Sequence, residues 1–165
     1  MNRYKISIGL AVGAGFGMAG SMFPSGALQN TLWEISSVGL IVGCLLLAAR
    51  LAQKGQQDLA VGFALLALAE GVMSSGSAAG VSGSQPAFGA GAALYVPALL
   101  LISLAKKYAA WVRITGVISS LLFAVVALQI FMGNTVAPAS ALPGAGYAFL
   151  TATIVGWIIS TLRSE

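Results

Sequence analysis

The chain alternates long apolar runs with short polar breaks, and the runs match the thickness of a lipid bilayer. About 20 apolar residues in a helix cross the hydrocarbon core. Six runs reach or approach that length: residues 6–23, 28–50, 59–79, 88–105, 110–132 and 147–162. The last is the shortest and could begin earlier, near Pro143. The breaks carry turn-forming residues: Pro24-Ser25-Gly26, Lys54-Gly55-Gln56-Gln57, the Gly/Ser-rich segment 80–86, and segment 133–144 with Pro138 and Pro143. The pattern predicts an all-α, polytopic integral membrane protein. It forms one transmembrane domain over residues 1–165, with six transmembrane helices in one up-down bundle.

Charge placement tests this division independently. Arg3 and Lys5 precede the first run, and Arg50 and Lys54 close the second. Lys106 and Lys107 follow the fourth, Arg113 opens the fifth, and Arg163 follows the sixth. The three alternate connections hold no Lys or Arg, so with six spans all eight basic residues fall on one face. Positive residues favour the cytoplasm, which places both termini inside. Tyr108 and Trp111 fit an interfacial aromatic belt on that face. Residues 1–21 also carry the pattern of a cleavable leader: a basic start, an apolar core and small residues at Ala19-Gly20-Ser21. The first run is as long as its neighbours, which favours a true span.

Composition agrees with a lipid environment: 58% of residues are hydrophobic and 7% charged, where a soluble domain carries about a quarter charged. The net charge of +4 comes from basic residues set singly or in pairs between apolar runs. No basic patch interleaved with aromatics points to nucleic acid. Histidine is absent, and the single cysteine, Cys44, lies within an apolar run. The lack of histidine removes the HExxH metalloprotease, the serine–histidine pair and most zinc and haem ligation. The only aspartate, Asp58, sits at a span's end, so an intramembrane aspartyl pair is excluded. There is no phosphate-binding GxxxxGK[ST] motif. The expectation is a non-enzyme without metal or cofactor, and the compact size suggests the inner membrane of a bacterium.

Three features could carry function. The first run holds Gly9, Gly13 and Gly17 at four-residue spacing, a small-xxx-small face that lets a second helix approach closely. It serves packing within the bundle or docking of a partner. The second feature is a pair of intramembrane acids, Glu34 and Glu70. Glu34 lies about six residues into its span, roughly 9 Å deep, and Glu70 lies roughly 9–15 Å below the outer end of the next. Asn30, Glu34 and Ser37 share one helix face, as do Glu70 and Ser74. Tyr95 and Gln129 also fall in outer halves. A carboxylate at membrane depth is costly and needs a partner, a proton or a cation. These residues are therefore candidates for binding a proton, cation or small solute, and whether the two acids touch is open in the sequence. The third feature is Pro97, two residues from Tyr95 in the fourth run, where the missing N–H frees a carbonyl and favours a kink.

Two functions follow as expectations. One is a small transporter or channel, plausibly a homo-oligomer, using a polar cavity around Glu34 and Glu70. The other is an accessory or assembly subunit of a membrane complex, docking through the glycine face of the first helix.

Overall fold

The computed structural model describes residues 2–23 and 26–163. Six α-helices account for most of them: α1 (Arg3–Met22), α2 (Ala27–Gln53), α3 (Gln57–Ser75), α4 (Gly80–Leu104), α5 (Ala110–Phe131) and α6 (Ala141–Arg163). A 3₁₀ turn at Ser77–Ala79 joins α3 to α4, and among the described residues there is no strand. Four continuous helical stretches are long and apolar enough to cross a membrane: Ala27–Gln53, Gln57–Leu104, Ala110–Phe131 and Ala141–Arg163. The second spans 48 residues and contains both α3 and α4, which reverse at Gly80 (φ +69°). Helix α1, at 20 residues, is diluted by glycine and opened by Arg3 and Lys5, and falls outside this set. By length and composition the chain is a membrane-embedded helical protein.

Each helix packs against its neighbour in sequence, and α6 closes the ring against α1. The Arg3 guanidinium donates to the carbonyl of Leu162 at 3.1 Å, so the start of α1 and the end of α6 share one end of the bundle. The middle of the ring is filled by side chains rather than by a pore. Trp157, Tyr95, Phe63 and Phe123 are fully buried, and Phe63 meets Trp157 edge-on with centroids 4.8 Å apart. Outward-facing positions stay apolar: Ile8 is 62% exposed and Leu104 65%. A soluble protein could not carry that much exposed apolar surface without aggregating, whereas lipid accepts it.

The glycines of α1 explain its tight seat on α2. A β-carbon at Gly9 would stand 2.8 Å from the Gly43 Cα, and one at Gly39 would stand 2.8 Å from the Gly13 nitrogen. The backbones therefore touch, which is the close approach the small-residue spacing predicts. Gly9, Gly13 and Gly17 all face α2 at this contact, where an added β-carbon would meet Gly43, Leu40 and Ser36. Ser36 adds a bond from its hydroxyl to the Gly13 carbonyl at 2.7 Å. Gln29, buried, closes the end of α1 by donating to the Gly20 and Phe23 carbonyls.

Helix ends depart from the sequence reading at the turns after α1, α3 and α5. The turn expected at Pro24-Ser25 lies outside the described residues. The Gly/Ser-rich segment 80–86, expected as a break, forms the first two turns of α4, with Pro86 inside the helix. The run expected over 59–79 ends as a helix at Ser75. Helix α6 begins at Ala141 rather than near 147, with Pro143 in its first turn, where a missing N–H costs nothing. At Pro97 α4 continues through to Leu104.

Gln85 is the reason the extra turns of α4 hold. Its amide nitrogen donates to the Val136 carbonyl at 3.0 Å, and its amide oxygen accepts from the Val136 N–H at 2.8 Å. The side chain thus pairs with the α5–α6 connection as a strand partner would. Gln85→Ala leaves both backbone groups of the buried Val136 without protein partners, at a cost of about 1–3 kcal/mol. We expect faster proteolytic cutting within residues 133–140 in vesicles. An unchanged cutting rate would show that the connection is held by something else.

Candidate functional site

The site forms where α2, α3 and α4 meet, and the packing of α3 on α4 sets it up. A β-carbon at Gly91 of α4 would collide with the Met73 side chain and stand 2.9 Å from the Ala69 carbonyl of α3. At Gly62 of α3 it would stand 3.1 Å from the Ala98 carbonyl of α4. These glycines bring the two backbones close, and Tyr95 lies one turn beyond Gly91 on the same face. Its hydroxyl therefore reaches Glu70 and donates a hydrogen bond to Oε1. From α2, Ser37 donates to the other oxygen, Oε2, at 2.8 Å. Adjacent serines on α2 face different neighbours, Ser36 toward α1 and Ser37 toward α3.

Glu70 is 4% exposed. Both its oxygens accept a hydroxyl proton from another helix, and among the described residues no basic side chain pairs with it. An aromatic chain continues outward from the site. Tyr95 packs edge-on with Phe123 (centroids 4.7 Å), and Phe123 with Tyr147 (5.0 Å). The Tyr147 hydroxyl donates to the Met73 sulfur at 3.6 Å. Helices α2 to α6 thus all contribute to one polar-aromatic centre.

Of the residues the sequence singles out, three come together: Ser37, Glu70 and Tyr95. Ser74 is one turn along α3, and its hydroxyl is buried with no partner among the described residues. Asn30 is exposed at the start of α2, and Gln129 is half-buried on α5. Neither makes a side-chain hydrogen bond among the described residues. Glu34 is the clearest departure. It lies half-buried in an open groove of about 460 Å³ between α1 and α2, which it lines together with Lys5, Ile8, Val12, Val38 and Val42. It forms no bond to the Glu70 cluster. The question the sequence left open is answered by this separation: the two acids do not touch, and the cluster holds one carboxylate, Glu70. Among the described residues no three His, Cys, Asp or Glu side chains gather.

The sequence reading missed Phe123 and Met73. Both lie within continuous apolar runs, where nothing local separates a residue facing the site from one facing lipid. Tyr147 stood at the margin of a span begun too late; with α6 starting at Ala141 it falls well within the helix.

No match to a known protein decides the function. No family model fits the chain, and neither the curated proteins nor the solved structures contain a match to it. The chemistry of the cluster is what remains to reason from. A carboxyl group with two hydroxyl donors, and no counter-cation among the described residues, can hold one proton, or bear one negative charge spread over two hydrogen bonds. The two forms differ by a single proton with little rearrangement of neighbours. The environment suits reversible protonation or the binding of one small cation, and offers too few ligands for a multidentate metal cage.

Proposed function

We propose that this chain is a six-span membrane protein with both termini on the cytoplasmic side of a cell membrane, and that it moves a proton, alone or coupled to a small solute or cation, through protonation of Glu70. The observation that carries the reading is the state of Glu70: buried, bonded at both oxygens by Ser37 of α2 and Tyr95 of α4, and without a cationic partner among the described residues. Intramembrane acids are costly and mark ion or proton pathways more often than not. Because its donors come from two other helices, a small shift of α2 or α4 against α3 would remove one of them. Losing a donor raises the carboxyl group's hold on its proton, since hydrogen bonds to the charged form favour that form. Helix movement and proton release are thereby linked.

The accessory-subunit reading rests on the glycine face of α1, and the close contact of Gly9 and Gly13 with α2 supports a packing role for that face instead. Glu34, on the rim of an open groove, has no assigned part in proton transfer.

The test is proton flux in proteoliposomes under an imposed potassium diffusion potential, followed with an entrapped pH dye. We expect flux in the wild type, loss of at least tenfold in Glu70→Gln, and flux within twofold of wild type in Glu34→Gln. A wild-type protein indistinguishable from empty liposomes would remove the proposal.

A further inference from the structure

The groove between α1 and α2 holds the other intramembrane acid. Glycines seat the two helices on each other, so no side chain fills the seam, and the branched residues flanking it stand as two walls. Ile8 and Val12 line the groove from α1, and Val38 and Val42 line it from α2. The space is about 460 Å³, within the range of sites that hold small organic ligands. It opens sideways, where Ile8 and Val38 are exposed. One charge stands at each end: Glu34, about two turns from the start of α2, and Lys5, in the first turn of α1. The contact of Gly9 with Gly43 fixes the register of the helices and sets Lys5 roughly 20 Å along the axis from Glu34. The two charges are too far apart to pair.

Among the described residues Glu34 makes no hydrogen bond or ion pair. An acid at membrane depth calls for a proton or a cation. The walls decide which cation. An inorganic ion requires a shell of oxygen ligands, and here it would meet one carboxylate among aliphatic side chains. An organic cation brings an apolar body for the walls and one charge for Glu34. A zwitterionic phospholipid sets a phosphate beside its ammonium, and Glu34 would repel it. A second copy of the chain does not supply the charge either. Every Lys and Arg lies at or beside the start of α1 or α5 or the end of α2, α4 or α6, which is the end of the bundle away from Glu34. A copy in the same orientation would bring apolar residues and another Glu34 to that level.

We propose that this groove binds a lipophilic monocation, an ammonium group on an alkyl chain, which enters sideways from the bilayer. The ammonium rests on Glu34, and the chain lies along Val38, Val12 and Val42 toward Ile8. The Lys5 charge at the far end disfavours a ligand with a second cation at the tip of its chain. The site is separate from Glu70 and does not depend on its role.

The test uses the full chain in phosphatidylcholine nanodiscs with dodecyltrimethylammonium carrying a diazirine at the tip of its chain. After irradiation, mass spectrometry locates the labelled residues. We expect labelling at Ile8, Val12 or Val42, displaced by unlabelled dodecyltrimethylammonium and not by dodecanol or by the dication decamethonium at the same concentration. Glu34→Gln should raise the concentration needed for half displacement by about tenfold or more, as removal of a charge contact in low dielectric requires. Glu34→Asp keeps the charge and should restore most of that loss. Val38→Trp fills the groove from an exposed position and should abolish labelling while the protein stays folded. Equal displacement by dodecanol would make the groove a general acyl-chain site and overturn the proposal. Displacement unchanged in Glu34→Gln would overturn the part given to the acid, and equal displacement by decamethonium would overturn the limit to one charge. A wild type without label in the groove overturns the whole, whether lipid or a second copy covers that face.

Discussion

Gly43→Leu is expected to leave little folded protein. A β-carbon at this position would stand 2.7 Å from the Leu10 nitrogen and 3.0 Å from the Gly9 carbonyl carbon. These are backbone atoms, so no side-chain rotation relieves the clash, and α1 must move away from α2. Membrane helices have no hydrophobic force pulling them together, so what holds α1 is the van der Waals contact that this separation would break. The Ser36–Gly13 bond would be lost with it. Overpacking of this kind costs about 3 kcal/mol or more. Gly43→Ala meets the same backbone with a single methyl and should fall between. Gly15 is the control, because a β-carbon there meets nothing within 4 Å. Gly15→Ala should be neutral or should stabilise α1 by up to about 1 kcal/mol through helix propensity. The measurement is the fraction surviving a heat step in detergent, read by size-exclusion chromatography. If Gly43→Leu survives as well as Gly15→Ala, the α1–α2 contact is not what seats the first helix.

The second large effect separates a structural role of the Glu70 cluster from a transport role. Tyr95→Phe keeps the edge-on contact with Phe123 but leaves Glu70 Oε1 without its donor, at an expected cost of about 1–3 kcal/mol. Glu70→Leu leaves the Tyr95 hydroxyl buried and unbonded, at a similar cost. Ser37 suffers less, because its hydroxyl can turn back to its own helix carbonyl. The double variant removes both polar partners at once, so its cost should fall short of the sum by about 1–2 kcal/mol. Proton flux should not follow this recovery: Glu70→Leu and the double variant should both be inactive. Recovery of stability together with retained flux would make the cluster an adhesive between helices and nothing more. Strictly additive costs would contradict the Tyr95–Glu70 bond itself.

Much of this centre is legible before folding. Glu70 stands out because a lone acid in a long apolar run has few innocent explanations. Ser37 and Tyr95 follow as the nearest hydroxyls at matching depth in neighbouring helices. Glu34 shows where that reasoning stops. Its depth along α2 is comparable with that of Ser37, yet three residues of helix turn it about 60° around the axis. That rotation takes it out of the bundle and into the groove beside α1. Segment 80–86 fails for another reason. Glycine, serine and proline make it read as a turn, but propensity is a weak local preference, and the bond pair from Gln85 to Val136, 51 residues away, overrides it.

The chain by itself determined that its helices suit a lipid environment, roughly where they begin and end, and that its basic residues can share one face. These follow from hydropathy and charge counted along the backbone, and they need no knowledge of neighbours. The tertiary structure decided azimuth: which side of each helix meets another helix, which meets lipid, and which polar groups therefore touch. It drew Ser37 and Tyr95 onto Glu70 and turned Glu34 away. Such choices arise from close packing at a few glycines, and the atoms on the far side of those contacts lie tens of residues away in sequence.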